Sequence, residues 1–158
     1  MSEYTHWVGF ADICWVEQKP GWRHVGGNTT GHGGNEYDHW MTVSAAYGIY
    51  YTILDFQARY PAQTKVCVND MALPIGGKFD IYQDWVSPHF WHDRGMAVDI
   101  NTTDSNACGS QEAGGIPLHL REDFRQHCIA RGADPSRSIL EPRNVHCNWP
   151  DPFTPRGG

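Results

Sequence analysis

The chain has no run of Lys or Arg, no C-x-x-C pair, no G-x-S-x-G and no apolar stretch long enough to span a bilayer. Each absence removes a class of function. Nucleic-acid binding rests on neutralising phosphates with basic side chains, and 12 Lys and Arg against 18 Asp and Glu, a net charge of −6, suit it poorly. Without C-x-x-C a zinc ribbon has no ligand framework. Without the G-x-S-x-G elbow a serine hydrolase has no support. Gly76-Gly77-Lys78 lacks the full spacing of a phosphate-binding loop and reads as a turn. There is no internal repeat and no low-complexity tract. Nothing resembles a signal peptide or a membrane span. The strand-like run Trp7 to Val16 fits a domain excised from a longer exported protein, so a secreted or cell-envelope location is the expectation.

What remains is a folded, aromatic-rich domain. At 158 residues and 40% hydrophobic content the chain suits one unit with a proper core. Residues 1–158 are read as a single domain, of which 1–40 are an N-terminal extension or the remnant of a preceding domain. Seven Trp and seven Tyr can build a core or line a peptide or carbohydrate cleft. The five cysteines leave at least one unpaired, and Cys67, Cys128 and Cys147 are read as small buried residues, with disulfides the alternative for an exported protein.

Residues 6 to 17 read as a strand and Gly21 to Val25 as its hairpin partner, followed by a Gly/Asn/Thr-rich loop over 26 to 37. Ala46, Ile49, Tyr50, Ile53, Phe56 and Tyr60 recur at helical spacing, so 42 to 60 is expected to be a helix closed by Pro61. Short strands are expected at Thr64 to Val68 and Lys78 to Tyr82, a surface loop at 101 to 117, a helix from Leu120 to Arg131 ended by Gly132, and a last strand from Arg143 to Trp149. This irregular alternation predicts an α+β fold, a small antiparallel sheet with flanking helices.

The chemistry lies in His92-Asp93-Arg94-Gly95-Met96-Ala97-Val98-Asp99, an H-x-x-G-x-x-x-D segment, and in a second island, Asn144-Val145-His146. Two histidines and a carboxylate are a three-ligand set that leaves Zn²⁺ a fourth position for water. Were 92 to 99 one helix, the two side chains would stand roughly 10 Å apart along its axis, too far for one ion. Gly95 breaks the segment, and Met96 to Ile100 alternates as a strand does. Met96, Val98 and Ile100 then face one way and Ala97 and Asp99 the other. Downstream, Val145, Cys147 and Trp149 share a face, and Asn144, His146 and Asn148 the opposite one. Two such strands could bring Asp99 and His146 to one metal, with His92 reaching in from the preceding loop.

Pro88-His89-Phe90-Trp91-His92-Asp93-Arg94-Gly95-Met96-Ala97-Val98-Asp99 resembles the first metal motif of the LAS-type zinc peptidases, the superfamily of lysostaphin-like enzymes, D-alanyl-D-alanine peptidases, penicillin-insensitive murein endopeptidases and the hedgehog signalling domain. The H-x-x-H-x-x-G form, with His89, is most similar to the murein endopeptidases; Gly95 to Asp99 also fits the G-x-A-x-D of the D-alanyl-D-alanine branch, although Phe90 stands where that branch usually has serine. The resemblance covers residues 64 to 149 at most. It implies a hedgehog/D-Ala-D-Ala-peptidase-like fold, Zn²⁺ held by His92, Asp99 and His146, and hydrolysis of cell-wall peptides. The second motif departs from the family: Asn144 stands where an H-x-H pair has its first histidine, and asparagine does not titrate. Glu141 is therefore the candidate base, with His89 the runner-up and Asn144 at a usual catalytic position. Arg94 is read as a receptor for a substrate carboxylate or, equally, as a surface arginine. Trp91, with Trp85, Phe90 and Trp149, is read as framing a cleft, some of these being core instead.

The expectation is thus a zinc-dependent peptidase or amidase acting on peptide or peptidoglycan, of unassigned oligomeric state; the alternative is a non-catalytic zinc-binding recognition domain on the same fold. His32, Asp38 and His39 read as a solvated loop, and Asp104 and Glu112 as solvated charges. His6, His24, His119 and His127 carry no functional expectation.

Overall fold

The computed structural model describes residues 4–5, 13–15, 22–24, 39–63, 65–69, 71, 92, 95–105, 110 and 114–150. Strands β1 (Tyr4–Thr5), β2 (Ile13–Trp15), β3 (Trp22–His24) and β4 (Trp40–Thr42) precede helix α1 (Val43–Arg59). Strands β5 (Val66–Val68) and β6 (Ala97–Asn101) follow, then a single 3₁₀ turn (Leu118–Leu120), helix α2 (Arg121–Ala130), β7 (Ile139–Leu140) and β8 (Asn144–Asn148). The strands form two sheets, β1-β2-β4 and β3-β5-β6-β8-β7. All pairs are antiparallel except β3 with β5, which is parallel. The α+β class with an antiparallel strand pair at its centre agrees with the sequence pattern.

Helix α1 starts at Thr42, whose extended backbone and side-chain oxygen, accepting from the Ala45 amide at 3.3 Å, cap the first turn. Pro61 follows the C-cap Tyr60. The periodic residues Ala46, Ile49, Ile53 and Phe56 are buried, as their spacing requires. Phe56 meets Phe124 of α2 edge-on, ring centroids 5.0 Å apart. The two helices cover the Val98, Ile100, Val145 and Cys147 face of β6 and β8, making one continuous core. Trp149 joins it from the end of β8: its indole lies so close to Gly48 of α1 that a methyl there would overlap the ring, and its Nε1 donates to the Arg131 carbonyl at 3.0 Å.

Several expectations are corrected. The segment around Trp22–His24 is no hairpin partner of the preceding strand; it pairs with β5, while β2 pairs with β4. Strands that short carry too few side chains for pattern to select their partner. Cys128 and Cys147 are not free buried thiols but a disulfide, Cα atoms 6.2 Å apart, which ties α2 to β8; Cys67 is disulfide-bonded as well. The stretch 101 to 117 is not simply a surface loop: Asn101 ends β6, Thr102 bridges to Ile116, and Thr102, Ser105 and Ile116 are buried. Trp149 belongs to the core, and His39 is buried rather than solvated. Asp104 is exposed as expected. The strand expected at 78 to 82, and His32, Asp38, Trp85, Phe90 and Glu112, lie outside the described residues. No helix among the described residues is long and apolar enough to cross a membrane.

Candidate metal centre

The antiparallel register of β6 and β8 sets Asp99 directly opposite His146, with Val98 opposite Cys147 and Ile100 opposite Val145. Because side chains alternate, Ala97, Asp99 and Asn101 share a face with Asn144, His146 and Asn148, and the apolar residues take the face under the helices. The phase read from the sequence is the phase the sheet adopts.

His92 arrives from a separate turn. Gly95 has φ +66°, a conformation that favours glycine, and its amide donates to the His92 carbonyl at 3.1 Å, closing the turn. The Gly95 carbonyl accepts from Thr42 at 2.8 Å, which anchors the turn to the start of α1. A side chain at Gly95 would press on the Met41 and Thr42 backbone. That is the physical content of the H-x-x-G spacing: the glycine reverses the chain so that His92 overhangs the strand carrying Asp99.

The three side chains meet. Asp99 Oδ1 lies 3.5 Å from His92 Nε2 and 2.8 Å from His146 Nδ1, and one ligand atom from each residue falls within 4.8 Å of the others. Four ligands about 2 Å from a tetrahedral ion stand roughly 3.3 Å apart, and the two distances to Asp99 bracket that value. All three residues are at most 4% exposed. His92 Nδ1 is 2.7 Å from the Met71 carbonyl, which can only accept; Nδ1 therefore carries a proton, and Nε2, the nitrogen that faces Asp99, is the one left to hold a metal. His146 Nε2 is buried with no hydrogen-bond partner. Burial pushes the Asp99 carboxyl up, but the charges and hydrogen bonds of the two imidazoles outweigh it and hold the group well below the usual carboxylate range. An ionised carboxylate flanked by two imidazoles is a nitrogen–oxygen donor set that could hold a metal ion.

Glu141 and Asn144 border this centre. Both are partly buried, whereas 145 to 149 are fully buried, so they mark its more open end. The Glu141 amide donates to the Asn144 carbonyl at 2.9 Å, and the Asn144 side chain is near enough to favour the ionised Glu141 carboxyl. Burial first and then the Asp99 charge push the Glu141 carboxyl above its ordinary value, opposed by His146, His92 and the Asn144 hydrogen bond. Glu141 thus lies within electrostatic reach of all three clustered side chains. His89, Trp91 and Arg94 lie outside the described residues. Sequence reasoning assigned no role to the Met71 carbonyl, which no residue pattern announces, nor to Asn101 and Asn148. The alternation that placed His146 had already put Asn148 on its face.

No family model matches the chain, and no curated protein matches it.

Proposed function

We propose that this chain is a zinc-dependent peptidase or amidase of the LAS type, acting on bacterial cell-wall peptides or related short peptides outside the cytoplasm. The observation that carries the reading is the convergence of His92, Asp99 and His146 on one buried point with Glu141 at its border. Two imidazoles and one carboxylate leave a fourth position on zinc, the pattern of a catalytic site. When bound, zinc polarises a substrate carbonyl and lowers the pKa of water toward about 7.

The side chains supply the rest. Glu141, pushed up by burial and by Asp99, can take a proton from water and hand it to the leaving amine. Asn144 cannot titrate, but beside Glu141 it favours the ionised carboxyl, so at this position it assists the base rather than acting as one. His92 is held by Met71 in the tautomer a metal needs. The Cys128–Cys147 disulfide supports an oxidising compartment, where such bonds persist. Arg94 and Trp91 stay in the proposal as substrate contacts from the sequence motif alone.

The near-complete burial of all three ligand side chains favours one competing reading, a zinc-binding recognition domain without turnover. Elemental analysis together with digestion of muropeptides separates the two. The proposal expects about one zinc per chain, turnover by the wild type, and a Glu141→Gln variant that keeps its zinc while losing roughly a hundredfold or more of its rate. Bound zinc without muropeptide cleavage favours the recognition domain. A folded protein that takes up no metal from added zinc sinks both.

A further inference from the structure

The sheet face that carries the metal centre continues past it. Asn148 follows His146 by one step of the alternation and lies opposite Ala97, the smallest side chain on that face. It is 0% exposed, and both its Nδ2 and its Oδ1 are without a hydrogen-bond partner. Its backbone, by contrast, is fully employed: the amide donates to Ser138 Oγ at 3.1 Å and the carbonyl accepts from Asp134 at 2.7 Å. The strand is held without help from the carboxamide. A buried donor or acceptor left without a partner is destabilising, and here one side chain carries both.

We propose that Asn148 is a substrate-binding residue whose carboxamide takes a peptide unit of the bound chain. An asparagine offers one acceptor and two N–H donors, the complement of a peptide C=O and N–H. A carboxylate would satisfy only the donor side and bring its lone pairs against Oδ1. Two residues along a strand separate Asn148 from His146, roughly 6–7 Å, a distance at which a peptide held at the metal presents a neighbouring amide. Depth is no obstacle, because the ligand residues are themselves at most 4% exposed and a substrate that reaches them reaches the same level. Asn101, at the opposite end of the face, also has a buried, unpartnered Oδ1, so the polar strip extends on both sides of Asp99 and His146. The inference rests on the peptidase reading and adds the group that fixes the peptide's register.

The test uses zinc-loaded protein in the Glu141→Gln background, so that the probe stays intact, with N-acetyl-tri-alanine amides of L and D configuration and their depsipeptides, in which one internal N–H is replaced by an ester oxygen. Asn148→Leu keeps the shape and removes both hydrogen-bonding functions. Calorimetric titration should show unchanged zinc content, a ten- to thirtyfold weaker tripeptide, and an amide-over-ester preference present with Asn148 and absent with leucine. Asn148→Ala, which makes no steric demand, should give the same result if the leucine variant does not fold. Equal tripeptide affinity in wild type and variant, an ester penalty identical in both, or no tripeptide binding at all overturns the proposal. With Glu141 restored, muropeptide turnover at unchanged KM in Asn148→Leu removes this inference and leaves the peptidase reading standing. Asn148-dependent peptide binding without any turnover removes the peptidase reading and leaves this one.

Discussion

The same two strands, β6 and β8, present two opposite solutions to burial. On one face Val98, Ile100, Val145 and Cys147 pack against α1 and α2. On the other, Asp99, Asn101, His146 and Asn148 are just as deeply buried, yet several of their polar atoms have no partner. The apolar face is complete in itself: its energy comes from area removed from water, and a disulfide locks it. The polar face carries desolvation that its own contacts do not offset. One face holds the strands in place so that the other can keep charged and unsatisfied groups at fixed positions, as a binding site needs.

Substitutions on the two faces should therefore separate cleanly. The largest effect belongs to the polar face: Asp99→Ala or His146→Ala should lower zinc affinity by more than the roughly hundredfold typical of outer-sphere partners. Far-ultraviolet circular dichroism should stay native, and His119→Ala should change nothing. If His146 proves dispensable for metal, the convergence seen here is not the metal site.

On the apolar face the readout inverts. Phe56→Ala, at the contact between α1 and α2, should cost about 3–5 kcal/mol in denaturant unfolding, while any chain still folded binds zinc with wild-type stoichiometry. Replacing Cys128 and Cys147 together by alanine opens a link between residues 19 apart and should cost about 3 kcal/mol. Loss of zinc in this double variant in proportion to loss of stability would show that the two faces are not independent.

The smallest effect is a titration. In metal-free protein the Glu141 carboxyl should ionise above its ordinary value, for burial and Asp99 both oppose its charge. The folded chain then holds that proton more tightly than the unfolded one. Its contribution to the metal-free fold is complete below the unfolded-chain value and is lost as pH rises through the raised one. Zinc loading brings a dication beside the group and should move the titration down. Carboxyl-carbon nuclear magnetic resonance reads both, and a Glu141 that does not respond to zinc would lie too far from the centre to serve as its base.

Much of the centre was legible because alternation is a strong local signal. Met96 to Ile100 and Asn144 to Asn148 each alternate apolar and polar residues, and with Gly95 ending the His92 turn, the phase of both strands follows. The register that sets Asp99 opposite His146 was not in the sequence, since one residue of slip would have turned every side chain to the other face. Helix α1 was legible for the same reason as the strands, from its 3.6-residue periodicity and from Pro61. The short strands were not: β3 spans three residues, and its pairing with β5 rather than with β2 depends on where β5 lies. The cysteines were misread because connectivity is a property of distance, and Cys128 and Cys147 are neighbours only once α2 packs on β8.

By itself the sequence determined residue type and local phase: which positions of β6 and β8 carry imidazole and carboxylate on one face, where glycine must reverse the chain, and which helix face is apolar. Such properties are set by neighbours a few bonds away, through sterics and side-chain direction. Only the tertiary structure decided that the Met71 carbonyl meets His92 Nδ1, that the Asp99 charge acts on Glu141, and that Asn148 is buried with its carboxamide unanswered. Those depend on long-range packing and on what each buried polar atom meets when water is gone, and no local pattern encodes them.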